Sequence, residues 1–393
     1  MEIRVRRGDT FWHYSQLFHI PLKLIMDSNP GIRPNELDLG QAVQIPGFVA
    51  TTRVVQKGDS FWKLASSRRL RVDALLVLNP GVNPNQLQIG QRIQIPVRVT
   101  SPVVNGNQPY DFQKMRNDIN KLLSIYPFME RREIGKSVMG LPLYDLRIGK
   151  GSRKVQVNAS FHANEWITTA ILMSFLNEYL LSLTNHFPVK GIPTLPAYLQ
   201  TELSAVPMVD PDGVNLVLNG PQPEMEERVI AINKGRRDFS GWKANIRGVD
   251  LNKQFPANWE FEAKRKPKTP ASRDFPGYAP LSEPETKAMV DLARKENFDR
   301  LLALHTQGKE FYWGYEGLEP PESEVLANRF ATVSGYKEVR YVDSHSGYKD
   351  WFIQEFRKPG FTIELGEGQN PLPLNQFDEI YEAASAILMN SLI

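Results

Sequence analysis

The 393-residue chain has no cysteine. No disulfide can staple it, and any metal site must be built from His, Asp or Glu. Histidine is itself scarce, with six in all, so candidate imidazole ligands can be weighed one at a time. An excess of one charge sign is also lacking. The formal net charge is +3 and no long single-sign run occurs, so composition offers no ground for a nucleic-acid partner. The densest basic stretch, Lys264-Arg265-Lys266-Pro267-Lys268, is broken by proline and reads as a solvated loop. No window approaches the ~18 consecutive apolar residues of a membrane span, so none is expected. Met1 to Arg7 lead into Gly8-Asp9 rather than into an apolar segment. The expectation is a chain without a signal peptide, cytoplasmic at synthesis. Hydrophobic residues at 41% suffice for ordinary cores, and the length suits two or three domains.

What is present first is a repeat. Gly8-Asp9-Thr10-Phe11-Trp12 recurs as Gly58-Asp59-Ser60-Phe61-Trp62, and Asn29-Pro30-Gly31 as Asn79-Pro80-Gly81. Pro34-Asn35-Glu36-Leu37 recurs as Pro84-Asn85-Gln86-Leu87, and Gln44-Ile45-Pro46 as Gln94-Ile95-Pro96. Each unit predicts strand, helix, helix, strand. Asp59 or Ser60 can accept hydrogen bonds from the free N–H groups opening a helix. Asn79-Pro80-Gly81 stops the second helix, and Pro46 and Pro96 are expected to end strand pairing. Phe11, Trp12, Phe61 and Trp62 read as core before sugar contacts. The units resemble LysM modules, small βααβ domains, over residues 1–47 and 51–97. That resemblance implies binding to peptidoglycan or another glycan containing N-acetylglucosamine, with the Asn-Pro turns near the glycan groove. Residues 98–109 carry Pro, Gly and polar residues without periodicity and read as a linker.

From residue 110 to 393 helical and strand-like runs alternate, which predicts an α/β domain with a mostly parallel sheet. Expected strands are Leu141 to Ile148, Val155 to Phe161, Glu202 to Val209, Leu301 to Leu304 and Phe361 to Leu365. Expected helices include Asp111 to Tyr126, Thr168 to Leu183 and Ser282 to Asn297, the last with Ser282 and Glu285 as a capping box. In such sheets ligands bind beyond the carboxyl ends of strands. His162-Ala163-Asn164-Glu165 lies at one such strand-to-helix junction. Alone, a His-x-x-Glu is short and common, and a surface His beside a helix-start Glu is its ordinary reading. A catalytic zinc takes three protein ligands and a water, so a third ligand is needed. His305 directly follows the apolar run Leu301 to Leu304. His13 and His19 lie in the first repeat, His186 in a helix-end loop and His345 in a Ser-Gly segment. Glu364, between Ile363 and Leu365, is costly to bury without a task and suits a general base.

His162-x-x-Glu165, Gly248-Val249-Asp250-Leu251-Asn252, His305, Asp350-Trp351 and Phe361-Thr362-Ile363-Glu364-Leu365, in this order, resemble the zinc carboxypeptidase family. The resemblance implies an α/β zinc carboxypeptidase-like domain with a mixed, mostly parallel sheet, behind two small βααβ LysM domains. It implies one zinc ion (Zn2+) on His162, Glu165 and His305, with Glu364 as general base. Asn252 would help hold a substrate carboxylate. The family usually has Arg after that Asn, and here Lys253 stands, which keeps charge but loses the bidentate fork. For the family's carbonyl-polarising Arg the candidates are Lys243 and Arg247. For its mobile tyrosine they are Tyr341 and Tyr348, with spacing favouring Tyr341. Lys349 falls near the specificity position, where it would meet an anion such as a diaminopimelate carboxylate.

LysM modules ahead of this peptidase domain resemble an arrangement in wall endopeptidases of spore-forming bacilli. The implied activity is hydrolysis of the γ-D-glutamyl–meso-diaminopimelate bond of peptidoglycan stem peptides. A place in the sporulating mother cell or on the spore would reconcile this with the missing leader. Two other readings stand beside it: a glycan-binding spore or wall protein with an inert peptidase domain, and a carboxypeptidase on wall peptides.

Overall fold

The structure, a computed structural model, describes residues 1–34 and 36–393. Asn35, in the repeated Pro-Asn segment, lies outside the described residues. The chain divides into two compact units. The first comprises Met1–Val103, Asp118–Glu130 and Asn177–Pro188, and the second the remainder.

The repeats fold alike. β1 (Glu2–Arg4) pairs antiparallel with β2 (Ala42–Gln44), and β3 (Phe48–Val54) with β4 (Arg92–Arg98). Between the strands lie α1 (Phe11–Phe18) and α2 (Leu22–Asp27), then α3 (Phe61–Ser66) and α4 (Asp73–Leu76). Thr10 and Ser60 cap α1 and α3 by accepting from His13 N and Lys63 N, and Asp59 instead pairs with Arg53. Phe11 and Phe61 are buried as expected, but Trp12 and Trp62 are 64% and 68% exposed, against the core reading. Adjacent residues on a helix point about 100° apart, so one face cannot bury both. Pro96 does not end the pairing either. Pro96 sits opposite Ala50, and β4 runs on through it to Arg98, opposite Phe48. A two-stranded ribbon leaves each strand one unpaired edge, where a missing N–H costs nothing. Asn29 and Asn79 are buried latches: each Nδ2 donates to the carbonyls of residues four before and fifteen after, and each Oδ1 accepts from Gln44 N or Gln94 N.

The stretch read as a linker is held at its start. Val99 N donates to the Gly47 carbonyl, Asn185 Nδ2 to the Val99 carbonyl, and Val103 N to Asn177 Oδ1.

The second unit is organised by an eight-stranded mixed sheet of β5 (Glu130–Lys136), β6 (Pro142–Ile148), β7 (Arg153–Asn158), β8 (Thr201–Val206), β9 (Arg300–His305), β10 (Glu310–Tyr312), β11 (Lys337–Val339) and β12 (Gly360–Glu364), in the order β11-β10-β12-β9-β7-β8-β6-β5. β11/β10, β12/β9, β9/β7 and β7/β8 run parallel; β10/β12 and β8/β6 run antiparallel. β9 is buried at every position, which is why its sequence reads as a continuous apolar run. β5, β10 and β11 escape the sequence reading because β5 and β11 are the edges of the sheet, and β10 and β11 are only three residues long.

After α5 (Phe112–Ile125), α6 (Ile167–Asn185) is the most deeply buried long helix following the His-x-x-Glu segment. The helical run Ala163–Asn185 is long and apolar enough to cross a membrane, contrary to the expectation that no window comes close. With 89% of that window buried in the protein, its apolarity serves the core. The expected capping box at Ser282 is also absent. The helix starts at Pro284, whose fixed φ suits the first turn. Glu285 accepts from Val138 N, and Ser282 Oγ donates to Gln254 and Glu283.

The latch geometry makes a specific claim about the repeats. Asn79→Ala leaves the Gln94 N–H without its acceptor and takes a donor from the Leu75 and Gln94 carbonyls, and should destabilise the second repeat by about 1–3 kcal/mol. Hydrogen exchange over β4 reads this directly; unchanged protection there contradicts the assignment.

Candidate metal and catalytic site

Three neighbouring strands deliver the site at their carboxyl ends. His162 lies just past β7, and Glu165 ends the short 3-10 turn Ala163–Glu165 that leads into α6. Ser160 N donates to Thr168 Oγ1, and Thr168 Oγ1 donates to the Glu165 carbonyl, which ties the turn to the helix it opens. His305 is the last residue of β9 and Glu364 the last of β12, and the parallel register places them directly opposite.

The ligand atoms of His162, Glu165 and His305 lie within 4.8 Å of one another, all in buried residues. His162 Nδ1 is 2.8 Å from Glu165 Oε1, His305 Nδ1 is 2.9 Å from Glu165 Oε2, and the two Nδ1 atoms are 3.1 Å apart. A tetrahedral zinc with ligand bonds of ~2.0–2.1 Å separates its ligand atoms by roughly 3.3 Å. The residues present therefore fit zinc. The far nitrogen of His162 is 3.2 Å from Asp250 Oδ1, and that of His305 is 3.4 Å from Asn252 Nδ2. Phe161 stacks beside His305.

Electrostatics divides the carboxyls. Burial pushes Glu165 up, but the charge of His162 and hydrogen bonds from both imidazoles win, so it stays ionised well below the usual range. Burial and then the Glu165 charge push Glu364 up to about 8, with Lys243 opposing. His305 is lowered, chiefly by burial, which favours the neutral imidazole a metal needs, whereas burial of His162 is outweighed by the Glu165 and Asp250 charges, so that ring is raised and must give up a proton to bind a metal. Lys243 is lowered by burial but raised further by Asp250, Glu165 and Glu364, so it remains a cation among these carboxyls. Glu165, Lys243, Arg273, Tyr312, Glu364 and Asn370 line one cavity of about 440 Å³.

The other expected site residues lie elsewhere. Arg247 is outside the cavity lining, with Nη1 3.5 Å from Glu283. Asn252 Oδ1 accepts from Tyr348 N, which fixes the amide, with its Nδ2 toward His305. Lys253 donates to Glu262 at 2.7 Å, to Ser344 Oγ at 2.6 Å and to the His345 carbonyl, rather than facing a substrate anion. Lys349 is buried with Nζ 2.7 Å from Asp350 and 2.8 Å from the Gly314 carbonyl. Tyr348 is fully buried, stacked on Trp351 with its hydroxyl toward the Met289 carbonyl, and cannot swing. Tyr341 is 52% exposed and donates to Glu319, beside a second cavity lined by Tyr315 and His345. A buried cation needs a partner, and these lysines found theirs inside the fold.

Two contributors are missed by sequence reasoning. Asp250 fixes His162 from behind. Its signal is an acid between Val249 and Leu251, the same apolar flanking that exposes Glu364. Arg273 sits in an irregular loop with no pattern to mark it.

The fold and the His-Glu-His site define a metallopeptidase, and the chain belongs to the zinc carboxypeptidase family, whose match spans residues 115–386. LysM domains match at 3–46 and 54–96. The chain is 58% identical over 394 residues, covering 100% of both chains, to "Gamma-D-glutamyl-L-diamino acid endopeptidase 1" of Lysinibacillus sphaericus. It is 50% identical over 289 residues, 72% of this chain and 77% of the relative, to the uncharacterized protein YqgT of Bacillus subtilis. Among solved structures, carboxypeptidase A from Helicoverpa armigera aligns with a TM-score of 0.56 at 16% identity, over 88% of this chain and 98% of that one, which is a likeness of fold. Bovine thrombin-activatable fibrinolysis inhibitor aligns with a TM-score of 0.57 at 20% identity, over 73% and 97%.

Asp250 tests the wiring of the site. Removing an acceptor behind a metal-bound imidazole typically costs about 10–100-fold in affinity. Asp250→Ala should lose zinc to a competing chelator by that factor, and a folded variant with unchanged zinc affinity contradicts the assignment.

Proposed function

We propose that the chain hydrolyses the γ-D-glutamyl–meso-diaminopimelate bond of peptidoglycan stem peptides, with its LysM domains holding it to N-acetylglucosamine-containing glycan. The observation that carries the reading is end-to-end likeness to the Lysinibacillus endopeptidase in a chain whose His162, Glu165, His305 and Glu364 converge at adjacent strand ends. Zinc, when held by the first three, supplies Lewis-acid activation of water and of the scissile carbonyl.

This chain's own groups do the rest. Glu364 takes a proton from the attacking water and passes it to the leaving amine nitrogen. Burial raises its basicity toward neutral pH, where such a shuttle works best. The Lys243 ammonium faces charge developing on the carbonyl oxygen. Asp250 holds the His162 ring in one orientation. Trp12 and Trp62, exposed at equivalent places in the two repeats, offer flat faces for sugar rings. Tethering to glycan raises the local concentration of stem peptide around the site.

The purified protein should release L-Ala-D-Glu from L-Ala-γ-D-Glu-meso-diaminopimelate and from the same peptide extended by D-Ala, read by mass spectrometry. Chelator and Glu364→Gln should each abolish it. Release of D-Ala alone would make the enzyme a carboxypeptidase, and no cleavage by the zinc-loaded protein would make it a binding protein.

A further inference from the structure

The lysines that would ordinarily receive a substrate carboxylate are engaged inside this protein, Lys253 by Glu262 and Lys349 by Asp350, while Asn252 carries no charge and is held through its Oδ1 by Tyr348 N. The substrate of the proposed reaction nevertheless carries free carboxylates on both sides of the scissile amide. Among the described residues lining the active-site cavity, the cations are Lys243 and Arg273. Lys243 faces Asp250, Glu165 and Glu364, which accounts for its charge. That leaves Arg273.

Ordinarily an exposed Arg beside an Asp is a surface pair of little consequence. Arg273 has the features of one, with 61% side-chain exposure and Nε 3.0 Å from Asp274. Its place separates it. The neighbouring Ser272 carbonyl accepts from both Lys243 N and Ala244 N, and the Lys243 carbonyl accepts from Ala163 N, within the metal-ligand turn. Asp250 N donates to the Phe275 carbonyl. The Arg273 segment is thus hydrogen-bonded on either side to the backbone that carries Lys243 and Asp250. Asp274 engages Nε alone, so the two Nη groups keep the planar fork that suits a carboxylate.

Building on the endopeptidase reading, we infer that Arg273 is a specificity-determining residue whose guanidinium binds a substrate carboxylate flanking the scissile amide. This would explain how a chain with Lys in place of the family's usual Arg at 253 still selects an anionic substrate. An ordinary α-linked peptide offers no carboxylate beside its scissile carbonyl, whereas a γ-linked D-glutamyl residue does.

The test compares the wild type, Arg273→Gln and Arg273→Lys on three peptides: L-Ala-γ-D-Glu-meso-diaminopimelate, its D-Glu α-carboxamide, and its diaminopimelate carboxamide. The wild type should lose about 10–100-fold in kcat/KM on one carboxamide, the worth of a charge-assisted hydrogen-bonded pair. Arg273→Gln should lose the same factor on the parent peptide and show no further loss on that carboxamide, with Arg273→Lys between. Which carboxamide shows this coupling tells whether the D-glutamyl or the diaminopimelate carboxylate is bound. Zinc content should stay at wild-type level in both variants. Equal losses on all three peptides, or none, overturn the inference while leaving the endopeptidase reading intact. Failure of the wild type to cleave the parent peptide overturns that reading and this inference with it.

Discussion

The Glu165 carboxylate, held between two imidazoles, is the contact on which the catalytic unit is arranged. One oxygen is 2.8 Å from His162 and the other 2.9 Å from His305. A carboxylate this deep is tolerable only with charge or hydrogen bonds to offset its lost hydration. Its partners come from chain positions 143 apart, so the sheet must bring the ends of β7 and β9 side by side. The same register then sets Glu364 opposite His305 and beside the metal ligands, without any further device.

Around that centre, cations are sorted by depth and partner. Lys253 and Lys349 are enclosed and bind carboxylates of the protein, which stitches the loops bearing Ser344 and Gly314 to the site's outer wall. Lys243 stands among Asp250, Glu165 and Glu364, and Arg273, exposed, lines the same cavity. Lys253 is thus taken up by contacts within the fold. The compact ammonium satisfies three acceptors in a confined space, which a planar guanidinium fork would not fit in the same geometry.

The parts legible in sequence are those with a local physical signature. A repeat at a fixed offset of 50 identifies the two small domains, and continuous apolar runs mark β9 and β12, whose last residues are His305 and Glu364. Few histidines and no cysteines narrow the ligand set to one sensible triad. Substrate-facing residues are less legible because a lysine's role depends on which partner the tertiary fold presents. Lys349 has Asp350 next to it in sequence, but nothing there tells that its ammonium is buried against that carboxylate and the distant Gly314 carbonyl. The exposed Trp12 and Trp62 lie beside buried phenylalanines, and only the rotation of the helix sets which of each pair faces water. Arg273 belongs to a loop whose position is decided by hydrogen bonds to residues 243 and 244.

The most direct measurement is X-ray absorption at the zinc edge of the purified protein, with zinc content determined on the same sample. The account predicts one zinc per chain, coordinated by nitrogen and oxygen alone, with the outer-shell scattering of two imidazoles. One imidazole or none, or a stoichiometry well away from one, would contradict the site described at His162, Glu165 and His305.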